Sequence, residues 1–136
     1  MLFLLACVTL SEGDYAVTYD APLTDDCNLY ENEPVRDDET VSVTRMGSDL
    51  RWTRESGEDL VWRVSGSTFT RESEGQIVLD AECGFITTNV DEGRATSSTS
   101  FEGRTTVDAV LEADCGTWTS VFGTNCHVEY AWEGRQ

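Results

Sequence analysis

Five cysteines, one histidine and 26 acidic side chains are the groups through which this chain of 136 residues could do chemistry. The cysteines stand at positions 7, 27, 83, 115 and 126, and no two have the C-x-x-C spacing of a zinc site. His127 directly follows Cys126. Neighbours on a strand face opposite ways, so the two cannot form a thiol–imidazole pair, and His127 reads as a surface side chain. It is also the only base available to a Ser-His-Asp triad, and no G-x-S-x-G elbow accompanies it.

Carboxylates are abundant, so a pair spaced for glycoside hydrolysis would arise on a small domain by chance. A carboxylate-based hydrolase is therefore the last of three functional readings. Asp25, Asp26, Asp37, Asp38 and Glu39 fall in one long connection and could supply the oxygen ligands that calcium takes, although the EF-hand spacing is absent. The competing reading is a solvated acidic loop. The four tryptophans, Trp52, Trp62, Trp118 and Trp132, serve as core or as the wall of a ligand cavity. Trp62, Tyr130 and Trp132 are the first candidates for such a wall.

The formal net charge is -17, with nine arginines and no lysine. Lysine-based covalent chemistry is excluded. A surface this acidic repels phosphate backbones and anionic lipid heads, so no nucleic acid is expected as partner. The length fits one domain with a true core.

Polar and apolar residues alternate along several segments. In 59–64 the even positions are Leu60, Trp62 and Val64, and in 76–83 the odd ones include Ile77, Leu79 and Cys83. In 106–114 the odd positions are Val107, Ala109, Leu111 and Ala113. Near the end, Cys126, Val128, Tyr130 and Trp132 point one way and His127, Glu129 and Glu133 the other. This period of two belongs to a sheet with one wet face. Gly47, Gly57, Gly66, Gly75, Gly84, Gly93 and Gly103 recur every nine or ten residues and are read as turns between strands of about six residues. The stretch 94–100 reads as one exposed polar strand. Only 25–32 offers a short helical turn, capped by Thr24. The expected fold is all-β: an antiparallel meander closing into a small up-and-down barrel of about 8–10 strands, with a two-sheet sandwich as the alternative. Residues 21–39, the longest connection, are expected to cross an open end.

Leu4-Leu5-Ala6-Cys7 resembles the lipobox of bacterial lipoproteins, in which a peptidase cuts before a cysteine that carries a diacylglycerol. The resemblance covers seven residues. It implies that Cys7 is the lipidated first residue of the mature chain and that the membrane is met through a lipid anchor only. No basic residue precedes Arg36 and six residues precede Cys7, so 1–6 reads as a truncated signal. Residues 7–13 then form the lipidated cysteine and tether, and 14–136 one barrel domain. Val8, rather than Asp, after the cysteine implies the outer membrane or cell surface in the family's sorting rule; the alternatives are a periplasmic or secreted protein.

With Cys7 set aside, Cys27, Cys83, Cys115 and Cys126 make two disulfides, as an oxidising compartment allows. Four cysteines can pair in three ways. A hairpin around 122–125 suggests Cys115 with Cys126, leaving Cys27 with Cys83. The leading expectation is an exported, lipid-anchored barrel acting as an envelope binding or structural module and not as an enzyme. The second is a lipocalin-like carrier of a small apolar ligand, a likeness of architecture alone.

Overall fold

The computed structural model describes residues 7–80, 83–112, 115–116 and 125–136. The sheet runs β1 Gly13–Tyr19, β2 Thr24–Asp25, β3 Glu39–Met46, β4 Asp49–Thr53, β5 Asp59–Ser65, β6 Thr68–Val78, β7 Gly84–Ser97, β8 Ser100–Leu111 and β9 Asn125–Arg135. Every pairing is antiparallel. The order is β1-β3-β4-β5-β6-β7-β8-β9, and β1 pairs back onto β9 to close an eight-stranded up-and-down barrel. β2 is an extra short strand on β9.

Alternation sets which side chains fill the barrel. On β9, Cys126, Val128, Tyr130 and Trp132 are buried, and His127 and Glu129 lie toward solvent, as the sequence predicts. Trp62 on β5 is buried between more exposed neighbours. The core is aromatic: the Trp52 ring lies 4.6 Å from Trp62, 5.0 Å from Phe101 and 5.6 Å from Trp132 between centroids. Such pairs add stabilisation beyond the area they bury.

The glycine ladder divides into two kinds. Gly47 and Gly66 open two-residue Gly-Ser turns with φ near +60°, which glycine adopts without steric cost. Gly75, Gly93 and Gly103, expected in turns, instead lie inside long strands, so β6, β7 and β8 run to 11, 14 and 12 residues. Phe69 stands opposite Gly93, Trp132 opposite Gly103 and Phe101 opposite Gly134. A Cβ on any of these three glycines would overlap the ring of its partner. The missing side chain lets each ring fold flat over the opposing backbone, which replaces the lost packing of a strand glycine. Likewise 94–100 is not one strand: it ends β7, turns at Ser98-Thr99 and begins β8.

Because β6 to β9 are long and β1, β3, β4 and β5 short, the inner face of β6–β9 extends past the ring of the barrel. Residues 20–38 form a strap over it, as the expected crossing of an open end requires. Leu29, Tyr30 and Val35 pack against the core. No helix forms here: the Asp25 carboxylate, not Thr24, accepts from the backbone N–H groups of Leu29 and Tyr30.

The disulfides are Cys27–Cys126 and Cys83–Cys115, which corrects the expected pairing. β2 docks on β9 and brings Cys27 beside Cys126, with Cα atoms 5.2 Å apart. Cys83 closes the β6–β7 connection against the segment after β8. The hairpin expected at 122–125 lies outside the described residues except for Asn125.

Candidate functional site

One rung of the barrel interior is polar. Arg71 of β6 stands opposite Asp91 of β7, Asp91 opposite Thr105 of β8, and Thr105 opposite Tyr130 of β9. Arg71 donates to Asp91 Oδ2 at 3.0 Å, and the Thr105 hydroxyl donates to Asp91 Oδ1 at 2.6 Å. The Trp132 indole N–H donates to Thr105 Oγ1 at 2.9 Å. The Arg71 guanidinium also sits 5.7 Å from the Trp62 ring centroid, within cation–π range. A buried carboxylate is tolerable here because its charge is paired and both oxygens are bonded.

This rung borders two adjoining spaces. Inside the ring is a gap of about 30 Å³, bounded by Trp52, Trp62, Trp132, Tyr19, Tyr130 and the polar rung. Between the strap and the extended sheet is a recess of about 280 Å³. Tyr30, Val35 and Arg36 form its strap side, and Ser73, Ile77, Thr87, Asn89 and Val107 its sheet side. Gly75 leaves space there, since a Cβ would meet Thr87 Oγ1 at 2.9 Å. Burial, reinforced by Tyr130 and Asp25, raises the pKa of Tyr30, while Arg36 opposes the rise.

Of the aromatic wall expected from sequence, Trp62, Tyr130 and Trp132 do meet, but around a gap of about 30 Å³. The barrel is filled by its own side chains, as an eight-stranded ring allows. Trp118 lies outside the described residues. Of the acidic connection, Asp25 serves the strap backbone and Glu39 opens β3. Arg54 grips Glu39 with two hydrogen bonds of 2.9 and 2.8 Å. Burial alone would raise the Glu39 pKa, but Arg54, the Tyr19 hydroxyl and Arg36 outweigh it and hold the carboxyl low. The expected convergence of Asp25, Asp26, Asp37, Asp38 and Glu39 is not found: among the described residues no three acidic, histidine or cysteine side chains gather closely enough for a metal ion.

The polar rung was legible in principle. Arg71 shares strand parity with Phe69, and Thr105 with Phe101, so both fall on the inward face.

Comparison with known proteins found no family model that matches the chain. Comparison with curated proteins and with solved structures found no match either.

His127 lies on the outer face with Nδ1 2.8 Å from Asp108 Oδ1. That hydrogen bond, opposed by desolvation and aided by the charges of Asp108, Glu129 and Asp26, raises its pKa above 6.5. A raised pKa means the folded state favours the imidazolium. The contribution to stability is fully present below the unfolded pKa and fades as pH rises through the folded one. The His127 ring is expected to titrate above 6.5 by NMR, and Asp108→Asn is expected to bring the midpoint down. An unchanged midpoint in that variant would show that the contact does not persist in solution.

Cys7 is free and exposed, and lies beside Gly66 in the β5–β6 turn. The segment 10–13 is fastened to the barrel. Leu10 is buried, Ser11 N–H donates to Ser98 C=O at 2.8 Å, and Gly13 already belongs to β1. Among the described residues, 7–9 precede this fastening.

Proposed function

We propose that this chain is an exported barrel held at a membrane by a lipid on Cys7, acting as an envelope binding or structural module rather than as an enzyme. The observation that carries the reading is the division of the cysteines: Cys27, Cys83, Cys115 and Cys126 are paired, while Cys7 stays free and exposed ahead of the barrel. Two disulfides fit a compartment outside the reducing cytosol. Among the described residues that line the recess the one carboxylate, Asp91, is engaged by Arg71 and Thr105. The gap of about 30 Å³ inside the ring speaks against a carrier of the lipocalin kind, which needs roughly 300 Å³ of apolar space.

Anchoring at Cys7 would also orient the molecule. Cys7 and the turns at Gly47, Gly66 and Ser98 share one end of the up-and-down ring, and the strap and both disulfides share the other. The recess would face away from the bilayer, toward a partner in the envelope.

Intact-mass spectrometry of the protein from its native host, with and without reduction, tests this reading. The expected species starts at Cys7, is heavier by a lipid, and gains about four protons on reduction. A chain with an unmodified Cys7 would remove the anchor, and one that gains no mass on reduction would remove the export argument.

A further inference from the structure

Two buried donors beside the polar rung have no acceptor among the described residues. The indole N–H groups of Trp52 and Trp62 are both buried and bond to none of those residues, and both rings line the inner gap. Buried polar groups are nearly always satisfied, so two orphans around one space mark an acceptor that occupies it. Asp91 is not that acceptor: it bonds Thr105 and Arg71, and neither indole reaches it.

The second observation is Arg36. It lines the gap and the outer recess alike, and it makes no ion pair among the described residues. Arg45, Arg63 and Arg135 likewise make no ion pair among the described residues, but none of them lines either space. The gap and recess adjoin, sharing Arg36, Arg71, Asp91, Thr105 and Tyr130. The outer walls add Ser73, Thr87 and Asn89, which suit hydroxyl groups.

We propose that this two-part space binds a small hydroxylated organic carboxylate. Its carboxylate enters the gap, accepts from the Trp52 and Trp62 indoles and is drawn by Arg36. Its body fills the recess under the strap. Water in the gap would satisfy the same indoles, but it would give no part to Arg36. The site is at the opposite end of the barrel from Cys7 and does not depend on the anchor.

The test is NMR of the indole N–H signals of the full ¹⁵N-labelled chain during titration with sodium acetate, sodium glucuronate and sodium chloride. The Trp52 and Trp62 signals are expected to shift saturably with the carboxylates, and the Trp132 signal, held on Thr105, to shift less. Glucuronate, which can fill the recess, is expected to bind about tenfold tighter than acetate, and Arg36→Gln to weaken it by about tenfold. An unchanged amide spectrum in the exposed Arg36→Gln variant would show that its fold is intact. Shifts that are absent, or that rise linearly with concentration, would leave the gap to water and overturn the proposal. Equal saturable shifts with chloride would replace it with a bare halide site, and unchanged glucuronate affinity in Arg36→Gln would overturn it as well.

Discussion

Replacing Cys27 and Cys126 together with alanine is expected to destabilise the protein by about 4–5 kcal/mol. The bridge spans 99 residues, and in the chain-entropy picture so long a loop restricts the unfolded state strongly. The loss is a large part of the roughly 5–15 kcal/mol that holds a typical domain together. A second effect follows from position. Cys27 is fully buried in the strap, so cutting the bridge frees the segment that covers the inner face of β6–β9. Removing Cys83 and Cys115, which span 32 residues, is expected to cost about 3–4 kcal/mol and to leave the strap seated. Urea unfolding gives the stabilities. Hydrogen exchange at the Leu29 and Tyr30 amides, both held by Asp25, reports the strap. Undiminished protection of those amides without the Cys27–Cys126 bridge would show that the bridge does not seat the strap.

Gly103→Ala is expected to cost about 3 kcal/mol, the upper part of the range for overpacked cores. The added methyl would lie within the Trp132 ring, which cannot move without disturbing Trp52, Phe101 and its hydrogen bond to Thr105. The penalty is therefore passed into the polar rung and not absorbed at the strand. A double-mutant cycle separates this from the ordinary cost of changing a strand residue. Trp132→Leu is damaging in itself, but combined with Gly103→Ala it should cost less than the sum by about 1–2 kcal/mol, because the clash is gone. Strictly additive unfolding free energies would mean that the ring and the glycine do not depend on each other.

These two experiments probe features of very different visibility in the sequence. The barrel could be read because parity is a local property: Trp62 between Val61 and Arg63, or Val128 between His127 and Glu129, declares its face without reference to any other strand. The turns at Gly47 and Gly66 were equally plain. Gly93 and Gly103 were not, because a glycine inside a strand and one in a turn look alike until the ring opposite is known. The disulfide pairing depended on β2, a strand of two residues whose only signal is its place on β9. The polar rung was visible by parity, yet Arg71 and Asp91 resemble the many charges that do face water. Its meaning lies in the register across four strands, which no single segment contains.

The seam of the barrel sets the order in which the molecule can be made. Ala16–Tyr19 of the first strand pair with Trp132–Arg135 of the last, and Cys27 waits for Cys126. While the chain is still emerging from the ribosome, the sheet has two raw edges and no ring. Closure must await nearly the final residue. On the proposed route of export that delay is useful: the ring stays open until Trp132–Arg135 reach Ala16–Tyr19.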